Sequence, residues 1–251
     1  MYLDRDGVHI WYEVEGDGEL ILLSHGYSST GLMWERQTAA FSDRYRVASW
    51  DMRGHGRSDY PKNVEAYSEE ATVADMAAIL DQCEVESAWI GGLSLGGYMS
   101  LAFHHRYPER VRGLLLFDTG PGYKSDEARD GWNRNANAQA DALETEGLAA
   151  LRSSREVRAR NHRGAQGLAN AARGMLAQRD DRIIQSLPSI RVPALVLVGS
   201  RDKPFLGATD YMVKKIPNAT KATIEDAGHA SNIDQPQAFI DAMSSFLSSV
   251  K

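Results

Sequence analysis

The chain has 251 residues, 43% hydrophobic and 25% charged, with a formal net charge of −6. That is the make-up of a soluble globular protein with room for a sizeable core, and its acidity without a basic block argues against nucleic acid or anionic membranes as partners. A single cysteine, Cys83, excludes an internal disulfide, and Met1 to Asp6 lacks the apolar core of a secretion signal, so a cytoplasmic protein without a membrane span is expected.

Val8 to Glu15 alternates apolar and polar residues, the pattern of a half-buried strand. Gly16-Asp17-Gly18 turns the chain into Glu19–Ser24, whose continuous apolar run predicts a fully buried strand. A glycine-containing loop, His25–Thr30, leads to a helix from about Met33 to Phe41, and Arg46–Trp50 is the next strand. The charged, glycine-punctuated loop Asp51–Ser58 precedes a helix over Ser68–Cys83, with Ala71, Ala74, Ala78 and Leu80 among its apolar positions. Ala88–Gly91 ends another buried strand, helical spacing runs from Tyr98 through His105, and Val111–Asp118 is again an apolar strand. From Tyr123 to about Leu187 the chain is rich in Ala, Arg, Asn, Gln and Glu with no strand-like run. It is far longer than a crossover needs and reads as a helical insertion covering the C-terminal edge of the sheet. Val192–Gly199 resumes the strand pattern, followed by a helix near Ala208–Lys215, a short strand near Ala222–Ile224 and a last helix over Pro236–Ser248. Alternating strands and helices predict an α/β fold built from βαβ units on a mostly parallel sheet.

Three chemistry-bearing residues fall at predicted strand ends, where open parallel sheets build their sites. Ser94 lies in Gly92-Leu93-Ser94-Leu95-Gly96, of the form G-x-S-x-G, between a strand and a helix. A serine on such a turn is pushed into solvent, and the glycines let strand and helix pass close together. The Leu95 N–H then faces the place where an oxyanion would form. The same five residues also fit a glycine-rich turn with an incidental serine, so the rest of the chain has to decide. Asp202 follows the strand ending at Gly199, and His229 lies in the loop Asp226-Ala227-Gly228-His229. Serine needs a base to take its proton, histidine suits that role near neutral pH, and a carboxylate on the far ring nitrogen fixes the tautomer.

The chain order Ser, Asp, His resembles that of α/β-hydrolase-fold serine hydrolases. The resemblance is carried by His25-Gly26-Tyr27, Asp51-Met52-Arg53-Gly54-His55-Gly56-Arg57-Ser58, Gly92 to Gly97, Gly199-Ser200-Arg201-Asp202 and Gly228-His229. It implies a core over 1–120 and 188–251, a helical lid or cap over 121–187, and a triad of Ser94, Asp202 and His229. It also implies that the residue after His-Gly, Tyr27, shares the oxyanion hole with Leu95, with the Tyr27 ring either lining the acyl pocket or packing. No cofactor or metal is implied, so activity should survive a chelator. Asp118 also ends a strand and competes as the acid; the position after the seventh strand favours Asp202, which leaves Asp118 to cap or hinge the lid. His25 is expected to organise the oxyanion loop, and His55, Asp51 and Arg53 to tie neighbouring loops together.

The resemblance to carboxylesterases and enol-lactone hydrolases implies acyl transfer from a small-molecule ester or lactone to Ser94 and then to water. A serine nucleophile speaks against the aspartate-using dehalogenases and epoxide hydrolases. Ala230 after His229 speaks against carbon–carbon bond hydrolases, many of which carry tryptophan there. A small-molecule receptor with a retained triad is the reading from another class, and slow turnover would reveal it. Arg152, Arg155, Arg158, Arg160 and Arg163 crowd the insertion and either bind a substrate carboxylate or form a solvated face, with Glu144, Glu146 and Glu156 nearby. Gly164, Gly167 and Gly174 are expected to break its helices, as a mobile lid would need, and Trp132 either overhangs the site or joins the core.

Overall fold

Long runs of Leu, Ile and Val become strands where both faces of a sheet are covered, because those side chains fill a pleated surface on either side. The structure is a computed structural model that describes residues 1–151 and 159–250. Its strands are β1 (Tyr2–Arg5), β2 (Val8–Glu15), β3 (Glu19–Ser24), β4 (Tyr45–Trp50), β5 (Ala88–Leu93), β6 (Val111–Phe117), β7 (Ala194–Gly199) and β8 (Ala219–Ile224). They form one eight-stranded sheet in the order β1-β2-β4-β3-β5-β6-β7-β8. Only the β1–β2 and β2–β4 pairs are antiparallel; the other neighbours are parallel. Every residue of β5 and β7 is buried, so the two strands that lead into Ser94 and Asp202 run through the centre of the core.

The helices are α1 (Glu35–Phe41), α2 (Glu69–Gln82), α3 (Leu95–Arg106), α4 (Asp126–Glu146), α5 (Ala165–Ala171), α6 (Arg182–Ser186), α7 (Lys203–Lys215), α8 (Ser231–Asp234) and α9 (Pro236–Ser249). The expected α/β fold is present, with α4, α5 and α6 lying between β6 and β7 in the sequence. On one face of the sheet the Trp34, Phe117 and Phe239 rings pack with centroids 4.6–6.3 Å apart. Each such pair adds about 0.5–1.5 kcal/mol beyond the area it buries. Among the described residues no helix is long and apolar enough to cross a membrane.

The buried face of α2 includes one of the apolar positions named from the sequence, Leu80. It consists of Thr72, Val73, Asp75, Met76, Ile79 and Leu80, with Ala71, Ala74 and Ala78 only partly covered. That face carries Asp75, a fully buried carboxylate held by Arg53 through Nε at 2.6 Å and Nη2 at 2.8 Å. Arg5 Nε adds a third contact at 3.3 Å. A buried charge is tolerable only when paired this way. Helix α7 starts at Lys203, earlier than expected, with Pro204 in its first turn where the missing N–H costs nothing.

Two of the three glycines expected to break helices do something else. Gly167 lies inside α5, and Gly174 lies inside a π-helical turn over Ala172–Leu176. A Cβ on Gly174 would sit 1.8 Å from Tyr67 O, and one on Gly167 would sit 2.4 Å from the Tyr60 ring. These glycines let the inserted helices lie directly on the segment 54–67. Gly164 is the residue before the first turn of α5.

Candidate active site

Ser94 occupies the turn between β5 and α3 with φ 54° and ψ −114°, a backbone conformation few side chains adopt. Such strain costs on the order of 1–3 kcal/mol and persists only where the surroundings over-determine it. Here Ser94 N donates to Phe117 O at 2.9 Å, while Ser94 O accepts from Tyr98 N at 3.0 Å and from Thr119 Oγ1 at 2.6 Å. The glycines are required for space. A Cβ on Gly96 would lie 2.2 Å from Ser24 O, and one on Gly92 would lie 2.6 Å from the same atom. Leu95 is the first residue of α3, where a helix leaves its backbone N–H groups without intrahelical partners.

Asp202 and His229 come together as expected. His229 Nδ1 lies 2.8 Å from Asp202 Oδ2, with the Asp202 side chain 4% exposed and that of His229 34% exposed. Two backbone bonds hold the loops in register, Asp202 N to Gly199 O at 3.0 Å and Arg201 N to Ala227 O at 2.9 Å. Phe205 stacks on the imidazole, with centroids 4.9 Å apart and planes inclined by 26°. Nothing in the sequence pattern singled out Phe205; its place in the first turn of α7, three residues after Asp202, is the signal that could have found it.

A cavity of about 290 Å³ adjoins Ser94 and Leu95. Its wall includes Phe205 and Tyr211 from α7, Tyr98 from α3, and Trp132, Leu176 and Gln178 from the inserted segment. Trp132 lines this cavity and also packs against the hydrophobic core, and its Nε1 donates to Leu176 O at 2.8 Å. Asn133 clamps the Gln178 backbone at both ends, donating to its O at 2.8 Å and accepting from its N at 2.8 Å. Among the described residues the cavity wall carries no ionised side chain.

Among the described residues, the side-chain hydrogen-bond partners of Asp118, expected to cap or hinge the lid, lie in the core. Its carboxylate accepts from Gly199 N at 2.7 Å and from the Ser231 hydroxyl, so it joins the ends of β6 and β7 to the start of α8. Burial pushes its pKa up to about 7, against the opposing effect of those two donors. The reason lies in the register: β6 and β7 are neighbours, so the residue after β6 meets the last residue of β7.

The Tyr27 ring is not part of the wall of the cavity at Ser94; it packs against the core, and its hydroxyl donates to Leu168 O of α5 at 2.9 Å. His25 Nε2 accepts from Met52 N at 2.9 Å, and its Nδ1 donates to Gly26 O at 2.7 Å. Burial holds the His25 pKa down at about 4, which keeps the ring neutral. Asp51 accepts from Gly31 N at 2.7 Å and Arg57 N at 2.8 Å, linking the loops after β3 and β4. Of the arginines in the insertion, Arg163 bonds to Ser58 O and stacks on Tyr60 at 4.8 Å, so it docks the insertion and does not reach the cavity. Arg160 is exposed, and Arg152, Arg155 and Arg158 lie outside the described residues, as does Glu156. Glu144 pairs with Arg173 at 2.9 Å.

Residues 20–242 match the model of the alpha/beta hydrolase family. The 3-oxoadipate enol-lactonase 1 of Acinetobacter baylyi is 31% identical, with all of this chain and 97% of that protein aligned. A thermophilic esterase from Thermogutta terrifontis superimposes with a TM-score of 0.83 at 30% identity, covering 99% of this chain and 97% of its own. The enol-lactonase from Burkholderia xenovorans LB400 does so with a TM-score of 0.80 at 28% identity, over 99% of this chain and 100% of its own. By its sequence over nearly its full length, and by its fold, the chain belongs to the α/β-hydrolase family.

Proposed function

We propose that the protein is a serine hydrolase that cleaves a carboxylic ester of a small molecule through an acyl-enzyme on Ser94. The observation that carries this reading is the 2.8 Å contact of His229 Nδ1 with Asp202, capped by a Phe205 ring that also lines the cavity at Ser94. With Nδ1–H donating to Asp202, Nε2 is left as the acceptor that takes the Ser94 proton. Ser94 Oγ attacks the ester carbonyl, the oxyanion is held by the Tyr27 and Leu95 N–H groups, and His229 returns the proton to the leaving alkoxide. Water then repeats the sequence on the acyl-enzyme, with His229 again as base. The segment 121–187 acts as the lid that shapes the acyl pocket. An uncharged wall of aromatic, aliphatic and small residues supports a neutral ester.

A cyclic ester is the second reading, favoured by the 31% identity to an enol-lactonase. Ring opening follows the same steps, with the leaving oxygen staying attached to the acyl group. The lone Cys83, buried and reduced, suits a cytoplasmic setting, which is part of the proposal. The test is a paired assay on purified protein, fluorophosphonate labelling read by intact mass beside hydrolysis of p-nitrophenyl esters. One label on Ser94, and loss of both label and turnover in Ser94→Ala with the fold retained, is the expected result. Turnover of Ser94→Ala within tenfold of the parent would sink the assignment. Labelling without ester turnover would move the substrate to the lactones.

A further inference from the structure

We propose that His162, carried by the inserted segment, is a positioning residue for the Tyr27 backbone N–H, so that the oxyanion-binding loop is complete only when that segment is docked. The inference rests on the reading of Tyr27 N–H as an oxyanion donor. Ser28, next in the chain, has φ 57°, a left-handed conformation that a serine adopts only when held there. Three bonds hold it. Its N–H donates to His55 Nε2 at 3.1 Å, its hydroxyl donates to Tyr27 O at 2.7 Å, and its carbonyl accepts from His162 Nε2 at 2.9 Å. The first two fix the peptide between Tyr27 and Ser28, and the third fixes the peptide after it. A backbone N–H can only donate, so Gly56 N at 3.3 Å makes His162 Nδ1 the acceptor and leaves Nε2–H to donate to Ser28 O. The same logic sets His55, whose Nδ1 donates to Arg53 O at 3.0 Å.

The two imidazoles thus clamp Ser28 from opposite parts of the chain, His55 from the loop after β4 and His162 from the insertion. Their rings lie 5.9 Å apart, and both are buried. The insertion grips the same loop a second time, through the Tyr27 hydroxyl on Leu168 O. The peptide that His162 holds also donates its Ser29 N–H to Gly26 O at 3.1 Å, and Gly26 O belongs to the peptide that carries the Tyr27 N–H. Remove the His162 donor and a buried carbonyl is left unpaired at a strained residue, which then relaxes and shifts the Gly26–Tyr27 peptide through that bond. An oxyanion donor acts through its fixed position, so small displacements cost rate rather than ground-state binding.

The test compares His162→Ala, His162→Gln and His162→Asn with the parent in hydrolysis of p-nitrophenyl butyrate and in binding of a trifluoromethyl ketone, whose adduct carries the oxyanion. In His162→Ala, kcat and ketone affinity should fall together by about tenfold or more, with KM within about twofold. The longer glutamine amide reaches the place of Nε2 and should restore most of both. Asparagine reaches only the place of Nδ1 and should not. Rates and ketone affinity within twofold of the parent in His162→Ala, a rise confined to KM, or equal rescue by asparagine would each overturn the proposal. If His162→Ala fails to fold, the glutamine and asparagine variants decide by the same criteria. Turnover persisting in Ser94→Ala is a different failure: it overturns the acyl-transfer reading itself, and the role of His162 with it.

Discussion

Two buried aspartates follow neighbouring parallel strands, and their surroundings assign them different work. Asp202 faces an imidazole, whereas Asp118 faces a backbone N–H and a hydroxyl. Asp202→Asn should lower kcat by about 10³–10⁴-fold by upsetting the histidine tautomer. Asp118→Asn, whose amide can still accept from Gly199 N, should stay within about tenfold of the parent. Steady-state rates check both, and the reverse ranking would move the acid to Asp118. Asp118 should also leave a mark on stability. Its pKa rises from an ordinary 3.8 to about 7, so between those pH values the folded state binds more protons than the unfolded state. Stability from this group therefore falls as pH rises through that window, and Asp118→Asn removes the dependence. Melting temperatures should accordingly shift in favour of the variant, relative to the parent, between pH 4 and pH 7. At this scale the sequence was legible where a residue sits in a motif, as Ser94, Asp202 and His229 do. It did not reveal the partners of Asp118, which lie 81 and 113 positions away, and was silent on His162, which stands in a polar stretch without a pattern.

The strand-turn-helix unit β5–Ser94–α3 is set by the backbones it must pass. Because an added methyl at 96 would press on Ser24 O, which belongs to a buried strand and cannot yield, Gly96→Ala should destabilise by about 3 kcal/mol or more. That corresponds to a fall of about 6–12 °C in Tm for a chain of this size, measurable by calorimetry. Gly174→Ala tests the opposite side of the cavity. Displacing the π-helical turn from Tyr67 should move Leu176 in the cavity wall and raise KM more than it lowers kcat. Buried strands were readable from apolar runs, since nothing else in the chain produces them. The four-residue edge strand β1 carries little apolar signal and was not expected, and of the exposed edge strand β8 only the second half, Ala222–Ile224, was legible.

Cooperativity of the whole molecule has a built-in reporter. Cys83 is 2% exposed at the C-terminal end of α2, packed among core residues, with its carbonyl accepting from Arg46 Nη2 at 2.7 Å. The native protein should therefore resist a thiol reagent such as Ellman's, and labelling should track global unfolding across a denaturant series. Rapid labelling in buffer would mean that α2 opens locally. The glycine contacts that seat α5 and the π-helical turn on residues 54–67 bear on how such enzymes can be recombined. A chimera that exchanged 121–187 alone would place a foreign surface against Tyr60 and Tyr67, where only a bare backbone fits. Carrying 54–67 across with it would preserve the joint, so the two stretches form one inheritable module despite lying far apart in the chain.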